Sequence, residues 1–355
     1  MTQAPLTNLL AAMETVSARP APDAQSMTQW RYLQMAHAVA HPVTLGEGGT
    51  PLQTLRAGLL LKEEGLNPTG SVQDRVASIL ISAARAAGWM RVALGESGVQ
   101  AGSMPSSIPN SMPGSMPDSL ADALAVSVAT YAAQAGLRSQ VTLSAAASEV
   151  DFLRVAAVGA DQAWPAKNGR AESGEGNIAA GDLARATQLA ARALAMELAE
   201  QMRWKLPETL LAPGASPLEM LAYENAFAWL REQEWVSSPH TPRCVAIHIA
   251  PAMGGPGTGP ARVAAEVLRK VSDAVGIVEE EHVRAAMEAW ARKGWLLAPG
   301  AAAAAAYCEQ HAALPGSTVI VNPRAALASA GEMARLLGIR RYPGRMPVGG
   351  IITPQ

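Results

Sequence analysis

The chain has 355 residues, a formal net charge of −2, and 16% charged against 49% hydrophobic residues. So balanced a charge gives no electrostatic footing for nucleic acid, and no apolar run approaches the roughly 20 residues that a membrane-spanning helix needs. Aromatics make up only 4%, so the core has to be built from Ala, Leu, Val, Ile and the 15 Met. The length predicts one large or two closely packed domains.

Residues 1–25 are rich in Ala, Pro, Ser and Thr and read as a partly ordered arm, with a helical pattern around Leu9 and Leu10. The apolar run 56–62 reads as a strand. Residues 74–88 place Val76, Ile79, Leu80 and Ala83 at helical spacing, with Ser71 as the expected N-cap and Gly88 as the stop. A strand at 90–94 follows. Residues 101–119 then break the pattern: Ser103-Met104-Pro105, Ser111-Met112-Pro113 and Ser115-Met116-Pro117 repeat, with Ser107-Ile108-Pro109 as a variant. Prolines at this spacing exclude helix and central strand. The segment reads as a surface insertion or as a methionine-bearing lid or docking loop.

Further along, strands are expected at 140–143, 209–212, 244–249 and 318–321. Helices are expected at 150–158, 182–204, 217–235, 260–271, 279–293 and 299–313. Strands alternating with helices imply parallel sheets in an α/β architecture. Residues 341–355 read as an extended tail, because Pro343-Gly344 and Gly349-Gly350 oppose helix.

Cys244 and Cys308 are too few for a disulfide framework and read as buried thiols. No basic, apolar leader is visible, so the expected compartment is the cytoplasm. His37 and His41 would share a helix face, but no third ligand accompanies them and no metal is expected. The glycine-rich run 254–260 lacks the Lys-Ser/Thr of a phosphate loop and reads as a connection.

The most informative stretch is Leu61-Lys62-Glu63-Glu64-Gly65-Leu66-Asn67-Pro68-Thr69-Gly70-Ser71-Val72-Gln73-Asp74-Arg75. In the same order lie Trp30-Arg31-Tyr32 and Leu45-Gly46-Glu47-Gly48-Gly49-Thr50-Pro51-Leu52 upstream. Ser127 to Leu137, Val271-Ser272-Asp273 and Ala298-Pro299-Gly300-Ala301-Ala302 follow downstream. Over residues 28–325 the chain resembles the threonine synthase-like enzymes. These are pyridoxal-phosphate (PLP) enzymes of fold type II, the tryptophan synthase β-like kind. The resemblance implies two open parallel-sheet α/β domains with a cleft between them. The large domain would take in 26–85 and 160–340. The smaller one would be 86–159 and carry the insertion 101–119.

The resemblance also implies where a cofactor would be held, and there the chain departs from the pattern. The lysine that forms the Schiff base corresponds to Gln73, and a carboxamide cannot form an imine with an aldehyde. The ring-binding Ser-Thr-Gly-Asn loop corresponds to Glu96-Ser97-Gly98-Val99. The Gly-Asn-Gly-Gly phosphate cradle corresponds to Gly214-Ala215-Ser216-Pro217, where Pro217 has no N–H to give. The family's Glu-Pro-Ala-Ser segment appears as Ala298-Pro299-Gly300-Ala301, and four cofactor contacts missing together point to a native departure, not an engineered one. Lys62 matches a lysine that the family already carries beside the catalytic one.

The expectation is a catalytically degenerate protein with no PLP and no catalytic residue, which binds a small anionic or amino-acid-like ligand or a protein partner. It would pair as a homodimer or with another protein. Candidate ligand-binding residues are Asn67, Thr69, Gly70, Ser71, Gln73, Ser97, Gly98, Gly214 and Ser216. The first four belong to a loop that leads into a helix start, where free N–H groups favour an anion. The alternative reading is a divergent lyase or transferase that acts on an amino-acid-like substrate by acid–base chemistry, or with PLP bound noncovalently.

Overall fold

The computed structural model describes residues 6–13, 28–33, 41–94, 118–144, 147–163, 176–250, 275–311, 314 and 316–338. The glycine-rich run 254–260, the helix 260–271, the tail 341–355 and, of the insertion 101–119, residues 101–117 lie outside these residues; Asp118 and Ser119 open a helix instead.

Two sheets organise the described residues. The larger has the order β1-β2-β9-β6-β7-β8 and the smaller β3-β4-β5. In the larger, β1 (Leu52–Arg56) and β2 (Leu59–Lys62) form an antiparallel hairpin. The strands β6 (Thr209–Pro213), β7 (Arg243–Ala250), β8 (Val275–Glu279) and β9 (Thr318–Val321) run parallel to one another and to β2. The smaller sheet joins β3 (Arg91–Leu94), β4 (Arg138–Thr142) and β5 (Asp161–Ala163), all parallel, so it runs past residue 159.

Alternation along the strands builds a core on each face of the larger sheet. Leu210, Ala212, Cys244, Ala246, Val319 and Val321 point to one side. Leu59, Leu61, Leu211, Val245, Ile247 and Ile320 point to the other. The first core takes in α2 (Gln73–Ala86), α3 (Asp118–Gln134), α5 (Ala180–Gln201) and α6 (Pro217–Glu232), and it continues through α3 to the smaller sheet. The second takes in α7 (Glu280–Ala291), α8 (Pro299–Gln310) and α9 (Ala330–Leu336). Helix α8 is buried along Ala301 to Cys308, as a helix apolar all round must be. The remaining α-helices among the described residues are α1 (Leu6–Ala12) and α4 (Glu149–Ala157), the latter beside the smaller sheet.

Three expectations change. The run 56–62 is not one strand, because Gly58 at φ +75° turns the chain between β1 and β2. Residues 279–293 are not helical from the start, since Glu279 ends β8, a strand absent from the sequence reading. Ser71 is not the N-cap of α2; Val72 is, without a side-chain cap bond, while the Ser71 hydroxyl accepts the Gln73 N–H at 3.2 Å.

Candidate functional site

The motif residues fold into a buried polar knot at the base of α2. Arg75 donates to Glu64 through Nε and Nη2, both at 2.7 Å, and its Nη2 also reaches Glu197 on α5 at 3.0 Å. Lys62 donates to Glu197, to the Thr50 carbonyl at 2.5 Å and to Gln201 at 3.0 Å. Two cations thus balance two carboxylates, all nearly sealed from solvent. Burial alone would push Glu64 up, yet Arg75 and Lys62 hold it down at about 2, while burial pushes Lys62 below its ordinary value.

The neighbouring motif supplies the walls. Glu47 accepts from Trp30 Nε1 at 2.7 Å, from Tyr131 at 2.9 Å, from the Leu45 N–H at 3.0 Å and from Ser78 and Thr44. A Cβ on Gly48, at φ +88°, would come within 2.5 Å of the Gln29 nitrogen, so glycine is required there.

Each candidate residue of the loop before α2 is engaged internally. The Asn67 amide donates to Glu64 and its oxygen accepts the Gly48 N–H at 2.9 Å. Thr69 donates from N and Oγ1 to Asp74 at 2.6 and 2.5 Å. Gly70, at φ +83°, gives its carbonyl to the Ala325 N–H at 2.9 Å, and Ser71 bridges to Arg324. Helix α4 reaches over from the smaller sheet: Arg154 donates to the Thr69 carbonyl, and Asp151 accepts from Arg324 with both oxygens at 2.7 Å.

Gln73 is 1% exposed and donates through Nε2 to Glu219 on α6 at 3.0 Å. Glu219 also accepts the Ser216 N–H at 2.8 Å and the Ser216 hydroxyl at 2.9 Å, and its own N–H donates to Ser216 Oγ at 3.3 Å. This reciprocal capping box closes the start of α6. The Gly214 N–H goes to the Ile247 carbonyl at 2.9 Å and the Ala215 N–H to Ala212 at 3.3 Å. The space left beside Gln73, Glu219, Val72 and Tyr223 is a cavity of about 20 Å³, enough for one water. The structure thus brings Gln73 and Ser216 together through Glu219, and Asn67, Thr69, Gly70 and Ser71 into one loop. Ser97 and Gly98 lie outside the described residues.

Sequence reasoning passed over Glu219, although Ser216-Pro217-Leu218-Glu219 carries the Ser-x-x-Glu signature of a capping box. Asp151 closes the same kind of box with Ser148 at the start of α4, whereas Glu197 and Arg324 carried no local signal. Among the described residues no cluster could hold a metal ion, and no helix is long and apolar enough to cross a membrane.

Asp74 sets a pH dependence. Burial pushes its carboxyl up from 3.8 to about 6, against the bonds from Thr69 and Ser127. Between about pH 4 and 6 the folded chain keeps a proton that the unfolded chain releases, so stability falls as pH rises through that window, by about 3 kcal/mol. Glu64 acts in the opposite sense and lower: its contribution is lost only as pH falls from 4.5 towards about 2. Urea midpoints for Asp74→Asn should lose most of the decline between about pH 4 and 7. An unchanged decline would shift its origin to Glu63 and Glu219, which burial also raises.

No family model matches the chain. A stretch of 77 residues is 36% identical to the threonine synthase of Methanosarcina acetivorans and covers 19% of this chain and 19% of that protein, so the matched part is about a fifth of this curated relative. Among solved structures, the O-acetylserine-dependent cystathionine β-synthase from Helicobacter pylori superposes with a TM-score of 0.55 at 17% identity, over 79% of this chain and 94% of that one. The L-serine ammonia-lyase from the fungus Rhizomucor miehei gives 0.58 at 16% identity, over 82% and 98%. The fold is fold type II. It is the α/β architecture with a predominantly parallel sheet that is known from PLP-dependent lyases and synthases.

Proposed function

We propose that this chain is a non-catalytic member of the fold type II architecture, in which the ground that a PLP group would occupy is filled by the protein's own side chains. The observation that carries this reading is the Gln73–Glu219 pair. The residue that the resemblance sets at the Schiff-base lysine is an amide locked at 3.0 Å onto a buried carboxylate. That carboxylate takes the Ser216 N–H at the start of α6, where the resemblance would put a phosphate. The donors at Gly214 and Ala215 are spent on carbonyls, and Pro217 has none. A second anion beside Glu219 would also meet like charge. The described residues at the start of α6 therefore do not fit the phosphate of the group.

Nor does another described lysine take the role. Lys62 is fully buried against Glu197, while Lys205 and Lys293 are exposed. With the two sheets tied by Arg324–Asp151 and Arg154, the fold is suited to presenting a fixed surface to a small ligand, a second copy or another protein. Incubation of the full chain with PLP, borohydride reduction and peptide mass mapping tests this directly. The expected result is no stoichiometric pyridoxyl-lysine. One mapped to any lysine that lines the cleft would overturn the reading.

A further inference from the structure

At the opposite end of the larger sheet, the N-terminal ends of β6 and β9 border a concavity of about 580 Å³ that is open to solvent. This is in the range of small-molecule sites. It lies roughly 15 Å, the length of β6, from the Ser216–Glu219 box. Its floor is apolar, with Leu60 and Leu206; its rim carries Arg203, Lys205 and His240 against one acid, Glu208. The three rim side chains are exposed, and none forms an ion pair or hydrogen bond with another described residue.

The backbone holds this rim in an unusual way. Arg203 and Trp204 sit at φ 56° and 60°, a left-handed pair without glycine just past the end of α5. Side chains rarely adopt that conformation, and where it persists the surroundings enforce it. Here the Arg203 N–H is held by the Glu200 carbonyl at 2.9 Å, and the Trp204 carbonyl by the Ser237 N–H at 3.0 Å. The Leu206 N–H is fixed by Ser238 Oγ at 2.7 Å, on the segment that brings in His240. A helix C-terminus needs no such pair when glycine can end it. The consequence of this geometry is two cations set at one mouth over an apolar floor.

We infer that this concavity is a binding site for a small phosphate monoester with an apolar body. Arg203 and Lys205 pair with the phosphate oxygens, His240 adds a donor, and the organic part lies on Leu60 and Leu206. A guanidinium suits the planar fork of two phosphate oxygens and an ammonium supplies a point charge. The inference is independent of the cofactor question, because it uses no residue of the Gln73 region.

Calorimetric titration of the full chain with phenyl phosphate, inorganic phosphate and benzyl alcohol tests it. Phenyl phosphate should saturate one site and bind more tightly than either half alone. Combining Arg203→Asn, which tolerates the left-handed backbone, with Lys205→Gln should weaken it about tenfold or more. Glu208→Gln, which removes the one like charge, should tighten it about threefold. The inference is overturned if phenyl phosphate shows no saturable binding, if the double variant binds it unchanged, or if inorganic phosphate binds equally well.

Discussion

Glu197→Gln should destabilise the folded chain by about 3–5 kcal/mol at neutral pH, measured by urea unfolding. Glu197 accepts from Lys62, from Arg75 at 3.0 Å and from the Gly49 N–H at 3.0 Å. Arg75 keeps its two bonds to Glu64 after the change, but Lys62 keeps only the Thr50 carbonyl, Gln201 and a carboxylate 4.0 Å away. A buried ammonium stripped of its partner is costly, and it escapes by releasing its proton. The loss should therefore shrink as pH rises towards about 9, because the unfolded chain then binds a proton that the folded chain has given up. Adding Lys62→Met to Glu197→Gln should restore about 2 kcal/mol, since a methionine of similar length removes the unpaired buried charge. A loss below about 1 kcal/mol, or one indifferent to pH, would mean that the knot does not hold the motif together as argued.

That knot accounts for the resemblance around α2 independently of what stands at residue 73. Glu47, Asn67, Asp74 and Arg75 support α2 from beneath through buried bonds. They keep a role whether or not a reactive group sits at residue 73.

How much of this was legible follows from the range of each signal. The strand 318–321 and the helix from Pro217 are as read, because apolar runs and a Ser-Pro start are local. Strand β8 escaped because Gly276 weakens its pattern; the Tyr307 ring lies over that glycine, where a Cβ would stand 2.6 Å from Cε2. Strand β5, Asp161–Ala163, has no apolar alternation to detect. In the candidate site, Gln73 and the loop before it were visible as a motif. The partners that decide their roles lie far along the chain: Glu219 for Gln73, Glu197 for Arg75 and Arg324 for Asp151. Only the folded chain brings such pairs together.

Gln73→Lys separates the loss of one amine from the loss of a pocket. If the amide alone is what bars the chemistry, the new lysine should capture PLP and yield a stoichiometric pyridoxyl adduct at residue 73 on reduction. The structure argues for the opposite result. The ammonium would face Glu219 where the amide now donates at 3.0 Å, and both are sealed in surroundings where burial raises the Glu219 carboxyl. An ion pair formed there would hold the amine charged, and a charged amine is not a nucleophile. The expected outcome is a folded, unlabelled variant, about 1–3 kcal/mol less stable in urea because a second buried charge must be desolvated. Adding Glu219→Ala removes the counter-charge and the capping carboxylate, at about 1–2 kcal/mol for the lost box. It also frees the Ser216 N–H. If labelling appears only in that double variant, the carboxylate of α6 is what fills the site. If it appears in Gln73→Lys alone, a single side chain separates this protein from covalent PLP chemistry and the proposed function fails.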